Sequence, residues 1–135
     1  MEENFKMVAK TFYGFEDILS NELLKLGAQK IEKGSRSASF YGDKGFMYKA
    51  NLSLRTAIKI LKPIRSFKFK DQEDFYNKIY KIDWEKHLNK DSSFLVSSIV
   101  FHSQLFNHSK YVSQKVKDAV VDRFRDLFKK RPDVE

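Results

Sequence analysis

The chain has 135 residues, of which 41% are hydrophobic and 15% aromatic, a composition that indicates a folded protein of one ordinary domain or two very small ones. It contains no cysteine, which excludes disulfides, thiol nucleophiles and Cys-ligated metal sites. The net charge of +8 favours polyanionic partners, with nucleic acid first and an acidic membrane surface second.

No targeting segment is predicted. The opening residues Met1-Glu2-Glu3-Asn4 resemble neither a signal peptide nor a transit peptide. The longest nearly uncharged stretch, residues 92–104, is too short and too polar to span a bilayer. We therefore expect a soluble, cytoplasmic protein with no membrane partner.

Residues 1–70 alternate between strand-like and helical patterns. The predicted elements, in chain order, are a strand over 5–10, a helix over 15–26, strands over 28–33 and 37–41, a helix over 43–53 and a β-like segment over 56–70. Five apolar residues recur at helical spacing in the first helix: Phe15, Ile18, Leu19, Leu23 and Leu26. This order is the ferredoxin-like plan of the α+β class, an antiparallel sheet with two helices on one face.

Residues 71–135 begin a second unit. The pattern predicts a helix over 71–82, a short turn at Asp83-Trp84, a buried strand over 94–101 and a long helix over 109–129. The long helix is expected to bury Val112, Val116, Ala119, Val120, Phe124 and Leu127. Its predicted exposed residues are Gln114, Asp118, Asp122, Arg125 and Lys129. A single strand cannot satisfy its own backbone, so this unit is expected to be incomplete.

Motifs for chemistry are absent from the sequence. The five glycines form no phosphate- or cofactor-binding loop, and the only prolines, Pro63 and Pro132, form no Pro-Pro catalytic motif. His102 and His108 have no nearby carboxylate to complete a metal site, and polar loop residues are the better interpretation. We predict no catalytic residue, no cofactor and no metal in this chain.

Two stretches resemble a known family. Residues 13–28, Tyr-Gly-Phe-Glu-Asp-Ile-Leu-Ser-Asn-Glu-Leu-Leu-Lys-Leu-Gly-Ala, resemble the opening helix of bacterial methyltransferases that modify the exocyclic amine of guanine in ribosomal RNA, often labelled adenine-specific DNA methylases. Residues 71–128 resemble the THUMP domain through Phe75, Ile79-Tyr80, Asp83-Trp84-Glu85, Phe94-Leu95-Val96, Phe101-His102-Ser103, Phe106, His108-Ser109, Tyr111-Val112 and Lys115 to Phe124. Arg131-Pro132-Asp133-Val134 resembles the bridge into the remaining THUMP strands.

The resemblance implies a ferredoxin-like domain over 1–70 and a THUMP domain over 71–135 whose C-terminal strands are missing. It further implies a catalytic domain, absent from this chain, that binds S-adenosylmethionine. The expected partners are structured RNA, most of all ribosomal RNA, and the protein's own C-terminal methyltransferase domain. The enzymatic activity would belong to the parent protein and not to this chain.

Two groups of residues are candidates for RNA contact. The first group lies around the start of the long helix, where backbone N–H groups attract phosphate: His102, Ser103, Asn107, His108, Ser109, Lys110, Lys115 and Lys117. Helix capping by Asn107 or Ser109 would explain one or two of these residues. Tyr111 and Phe106 are the aromatics considered for base stacking.

The second group is Arg65, Lys68 and Lys70, within a run from Arg55 to Lys70 that has six basic residues and no acidic one. Alternation there puts Lys68 and Lys70 on one face and Phe67 and Phe69 on the other. A phosphate track and an edge strand protected by lysines are equally compatible with this pattern. For the whole chain, the alternatives to an RNA-binding module are a protein-interaction module and the substrate-binding part of a DNA (adenine) methyltransferase.

Overall fold

A computed structural model describes residues 3–101, 103, 105–129 and 133–134 of the chain. Its internal contacts group the chain into two compact units, Met1–Ser66 and Phe67–Glu135. No helix among the described residues is long and apolar enough to cross a membrane.

The first unit is a four-stranded antiparallel sheet with two helices. Its elements are β1 (Phe5–Lys10), α1 (Glu16–Leu26), β2 (Gln29–Gly34), β3 (Ser37–Gly42), α2 (Lys44–Ser53) and β4 (Lys59–Leu61). The strand order is β2-β3-β1-β4, so β1 lies between two antiparallel neighbours. The predicted α+β class and ferredoxin-like element order are confirmed.

The two helices cover the same face of this sheet. Alternate strand residues, Met7 and Ala9 of β1 and Ala38 and Phe40 of β3, are fully buried and form one apolar cluster with residues of both helices. Helix α1 contributes Leu19 and Leu23, and α2 contributes Ala50. The opposite face of the sheet carries neither of these helices.

Local signals explain where the two helices begin and end. Gly27 ends α1 with φ of 99°, a left-handed conformation that glycine adopts without steric cost. Asp43 caps α2, because its side chain accepts a hydrogen bond of 2.7 Å from the backbone N–H of Phe46. A Cβ added at Gly42 would lie 2.8 Å from the Phe46 ring, so the entry to α2 packs too closely for any side chain there.

The second unit is built around two packed helices. Its elements are α3 (Gln72–Tyr80), a 3-10 helix (Trp84–Lys86), β5 (Ser93–Phe94), α4 (Ser109–Phe128) and β6 (Asp133–Val134). Its core consists of Phe75, Ile79, Ile82, Phe106, Ala119, Val120 and Phe124. Strand β5 pairs with β6 in parallel, and α4 lies in the connection between them, as parallel pairing requires.

Two predicted strands are wrong over most of their length. Within residues 56–70 only Lys59–Leu61 pair with β1, and Pro63 follows with no backbone N–H to continue the ladder. Within residues 94–101 only Phe94 belongs to a strand, although burial still alternates along the segment. An alternating pattern indicates which side chains face inward, but it does not show that a neighbouring strand is present to form backbone hydrogen bonds. The expectation of a single unpaired strand also needs correction, since β5 pairs with β6.

The apolar stripes of two helices are narrower than predicted. Phe15 and Ile18 of the α1 stripe are 42% and 51% exposed, and Leu127 of the α4 stripe is 52% exposed. Asp122, predicted to face solvent, is half-buried and accepts a hydrogen bond from the Tyr76 hydroxyl.

Candidate nucleic-acid interface

The start of α4 leaves its first turn uncapped by any side chain of the described residues. His108 is the N-cap residue, with an extended backbone, and its side chain makes no capping hydrogen bond. Asn107, His108, Ser109 and Lys110 are all exposed. Capping by Asn107 or Ser109, the alternative considered from sequence, is therefore wrong. The free N–H groups and the positive end of the helix dipole can bind an anion.

The loop before α4 is anchored through Phe106. This ring is 4% exposed and its centroid lies 5.0 Å from that of Phe75. Ser103, one of the predicted RNA contacts, accepts a hydrogen bond of 3.1 Å from the Phe106 N–H through its Oγ. Phe106 is thus a core residue and the suggestion that it stacks on a base is wrong. His102, also a predicted contact, lies outside the described residues.

The three lysines predicted on α4 divide between two faces. Lys110 and Lys117 are seven residues apart, nearly two full turns, and therefore project from one face of the helix. Lys115 follows Tyr111 by one turn on another face, and its Nζ lies 5.7 Å from the centroid of that ring. Tyr111 is 41% exposed, and its hydroxyl donates a hydrogen bond of 2.9 Å to Gln72 Oε1. Lys110 and Lys117 can engage one phosphate backbone together, whereas Lys115 is held over a tyrosine.

The second predicted group is split by the structure. Arg65 belongs to the first unit, whereas Lys68 and Lys70 belong to the second. Lys68 and Lys70 are exposed and line a cleft of about 430 Å³ with Phe69, Asp74 and Lys78. The predicted inward placement of Phe67 and Phe69 is confirmed, since both are partly buried against the core.

An acidic residue partly neutralises this cleft. The backbone N–H of Lys70 donates to Asp74 Oδ2 at 3.0 Å, and this bond, followed by the Lys78 ammonium, lowers the pKa of Asp74. Lys78 forms an ion pair of 3.2 Å with Asp74 and also donates to the backbone oxygen of Lys68. Sequence reasoning missed Lys78, although its spacing of four residues from Asp74 was a readable signal.

Arg123 is a further residue that the sequence did not single out. Its guanidinium donates to Glu85 at 2.8 and 2.9 Å, to Asp83 at 3.1 Å and to the backbone oxygen of Tyr80 at 2.8 Å. The Arg123 hydrogen bonds lower the pKa of Glu85 to about 2. These hydrogen bonds join α4 to the end of α3 and to the 3-10 helix, so Arg123 holds the elements of this unit together.

A matched pair of tyrosines and aspartates joins the same two helices. The Tyr76 hydroxyl donates to Asp122, and the Tyr80 hydroxyl donates to Asp126. Each residue pair repeats at a spacing of four, so both bonds lie along one seam between α3 and α4. Burial, followed by the hydrogen bond to Asp122, raises the pKa of Tyr76. The two equal spacings were visible in the sequence, but their contact depends on the packing of helices that lie far apart in the chain.

The described residues offer no site for S-adenosylmethionine or a metal. Gly14 and Gly27 flank α1, and Gly34 and Gly42 end strands of an antiparallel sheet, so no glycine loop joins a parallel strand to a helix. No group of three His, Cys, Asp or Glu side chains suitable for a metal occurs within the described part of the chain.

Two family models match the chain in succession. The RlmL ferredoxin-like domain matches residues 6–61, and the THUMP domain matches residues 69–135. Together with the antiparallel sheet of the first unit, these matches define an α+β protein in which a ferredoxin-like domain precedes a THUMP domain. The division at residue 70 stays a prediction, because residues 62–68 fall between the two matches.

Two similar proteins carry the same name. The ribosomal RNA large subunit methyltransferase K/L of Syntrophotalea carbinolica is 34% identical over 135 residues, which cover 100% of this chain and 19% of that protein. The protein of the same name from Shewanella amazonensis is 36% identical over 132 residues, covering 96% of this chain and 18% of that protein. The chain belongs to the RlmL ferredoxin-like and THUMP domain families, and it spans about a fifth of the length of these relatives.

A solved structure shares the fold. The crystal structure of SMU.472, a proposed methyltransferase complexed with SAH, matches with a TM-score of 0.85 and 24% sequence identity. The match covers 98% of this chain and 36% of that protein. At this identity the likeness establishes the fold alone.

Proposed function

We propose that this chain is the RNA-binding region of an S-adenosylmethionine-dependent RNA methyltransferase, which presents structured RNA to a catalytic domain outside these 135 residues. The observation that carries the proposal is the THUMP match over residues 69–135 within relatives named as ribosomal RNA methyltransferases. The finer parts of the proposal are a guanine of 23S ribosomal RNA as target and S-adenosylmethionine as the cofactor of that domain. The SAH in the similar structure supports this cofactor.

The start of α4 is the RNA contact that we propose first. Its uncapped first turn can bind one phosphate, and Lys110 and Lys117 on one helix face can neutralise others along the same backbone. The cleft of Lys68 and Lys70 is the second candidate, and its charge is reduced by Asp74. The predicted contacts Ser103, Asn107, His108 and Ser109 would add hydrogen bonds around the first phosphate. His102, outside the described residues, and Arg65, in the other unit, stay predictions.

Fluorescence anisotropy with a labelled RNA hairpin, measured at several salt concentrations, tests this assignment. Replacing Lys110 and Lys117 with Ala should lower affinity for any hairpin sequence. It should also flatten the log–log dependence of affinity on salt by about 0.7–0.9 for each phosphate that the variant no longer neutralises. Replacing Lys115 alone should have a smaller effect, because its ammonium lies over Tyr111.

The matched control replaces Lys25 and Lys44, two exposed lysines of the first unit's helices, with Ala. If the Lys110/Lys117 variant keeps full affinity while an Arg65/Lys68/Lys70 variant binds more weakly, the α4 assignment is wrong. Duplex DNA that binds as tightly as the hairpin would favour a DNA-directed parent enzyme. No salt-dependent binding to either nucleic acid would contradict the proposed function itself.

A further inference from the structure

The sheet face opposite the helices of the first unit carries a mostly polar and basic surface. Residues that alternate with the buried ones point to this side, namely Lys6, Val8 and Lys10 of β1, Ser37, Ser39 and Tyr41 of β3, and Lys59 and Leu61 of β4. Each of them is exposed or half-buried, in contrast to the fully buried Met7, Ala9, Ala38 and Phe40. We call this surface the open face.

A cleft of about 370 Å³ lies on the open face. It is lined by Lys6, Lys30, Ile31, Glu32, Ser39 and Tyr41, which come from the three neighbouring strands β1, β2 and β3. Tyr41 is half-buried, so part of its side chain stays accessible. Two ammonium groups, one aromatic ring, one hydroxyl and one carboxylate therefore surround a space of nucleotide size.

A distortion of β2 directs Lys30 into this cleft. The pairing of β2 with β3 is irregular between Gln29 and Glu32, and Lys30 adopts φ of 51°, in the left-handed region that costs a lysine conformational energy. As a result the Lys30 Nζ lies 5.2 Å from the centroid of the Tyr41 ring. A bulge that turns a side chain towards one site is a recurrent feature of functional sheet surfaces.

The charge of the open face indicates its ligand. Four lysines, Lys6, Lys10, Lys30 and Lys59, share this face with one carboxylate, Glu32. The centre of a protein–protein interface is depleted of charge, whereas a surface for single-stranded nucleic acid combines basic groups with an accessible aromatic ring. The open face has the second composition.

We propose that this cleft binds one unpaired nucleotide of the RNA, with the base stacked on Tyr41 and the adjoining phosphate held by Lys6 and Lys30. The base takes the place of the Lys30 ammonium on the ring, and the flexible lysine side chain then pairs with the phosphate. The Glu32 carboxylate can accept hydrogen bonds from the base edge or the ribose 2′-hydroxyl, and the Ser39 hydroxyl can accept or donate them. This inference rests on the proposed RNA-binding function and adds a single-strand contact in the ferredoxin-like domain.

The test compares two RNA probes on the full 135-residue chain. One is a blunt hairpin, and the other is the same hairpin with a short unpaired extension. We expect the extension to increase affinity, and Tyr41→Leu to remove about five- to a hundredfold of that increase while leaving the blunt hairpin unaffected. Lys30→Asn, which tolerates the left-handed backbone, should reduce the same increase through loss of charge.

Two controls separate this effect from folding and from general charge. Tyr48→Leu removes a 60% exposed tyrosine from α2, and Lys25→Gln removes an exposed lysine from α1, so neither should change the preference for the extension. Tyr41→Phe keeps the ring and should restore the preference. If Tyr41→Leu unfolds the first unit, the site is tested by the other two variants. Lys30→Asn should reduce the preference for the extension, and Tyr41→Phe should keep it.

The outcomes distinguish this inference from the function on which it rests. A wild-type chain that binds both probes equally, or a Tyr41→Leu variant that keeps the preference, overturns the open-face site and leaves RNA binding intact. Equal reductions in Tyr41→Leu and Tyr48→Leu also overturn it. A wild-type chain that binds neither probe refutes the proposed function as well.

Discussion

Replacing Arg123 with Met should destabilise the second unit by an amount that its interactions allow us to estimate. The side chain is 15% exposed, and Met keeps most of its apolar stem while it removes four hydrogen bonds. Loss of the ion pairs with Asp83 and Glu85 lowers the free energy of unfolding by about 0.5–1 kcal/mol, a small amount because both carboxylates keep contact with solvent. The unpaired oxygen of Tyr80 adds about 1 kcal/mol. We expect a total destabilisation of about 1.5–2 kcal/mol.

Trp84 is the chain's single tryptophan, and it reports this change directly. It lies in the 3-10 helix, and its indole N–H donates to the backbone oxygen of Ile79 at 2.8 Å, so its fluorescence follows unfolding of the second unit. For a unit of this size the expected destabilisation lowers the melting temperature by about 6–16 °C. Arg125→Met is the matched control, because Arg125 is exposed and forms no ion pair among the described residues.

The pH dependence gives a second measurement of the same contact. The folded-state pKa of Glu85 is about 2, below its ordinary value of 4.5, so the stability that Glu85 contributes is present above pH 4.5 and is lost as pH falls towards 2. Arg123→Met should remove this part of the acid dependence. Equal melting temperatures for the Arg123 and Arg125 variants, with unchanged acid dependence, would refute the reasoning.

Two further predictions concern the seam and the core of the second unit. Tyr76→Phe should cost about 1 kcal/mol in urea unfolding because Asp122 loses its donor. It should also remove one of the two tyrosines with a raised pKa, Tyr76 and Tyr80, from the alkaline absorbance titration, so an unchanged titration would contradict the assignment. Phe106→Ala should cost about 3–5 kcal/mol, since this ring is 4% exposed among other aromatics. A cost below about 1 kcal/mol would place Phe106 outside the core and reopen a role in binding.

The sequence was sufficient for those features of the fold that depend on local patterns. Helix α1 begins one residue after its predicted start and ends at Leu26, and α4 covers Ser109–Phe128 against a predicted 109–129. The spacing of apolar residues and a glycine after the last turn determine a helix within a few residues of the chain. The bounds of a helix can therefore be predicted without knowing which element packs against it. The predicted strands beyond Leu61 and Phe94 were wrong because neither the alternation near residue 70 nor the continuous apolar run over 94–101 shows whether a neighbouring strand is available to pair with.

The candidate sites were harder to predict from sequence, because they depend on contacts between elements that are far apart in the chain. Lys110 and Lys117 were selected from sequence, and helical periodicity alone places them on one face. Arg123 meets Asp83 and Glu85 only through the packing of α4 on elements about 40 residues earlier in the chain. Lys30, which lines the cleft beside Tyr41, adopts a positive φ, and a lysine gives no sequence signal for that conformation.

The central position of β1 has a consequence for the order of folding during synthesis. Phe5–Lys10 pairs with β3 on one side and with β4 on the other, and Lys10 lies opposite both Ser37 and Lys59 in the ladder. β1 is therefore synthesised first in this unit, but its second edge can pair with β4 only after nearly all of the unit has been synthesised. Amide hydrogens of β1 should then exchange more slowly than those of the edge strands β2 and β4, because opening either edge leaves β1 held by the other.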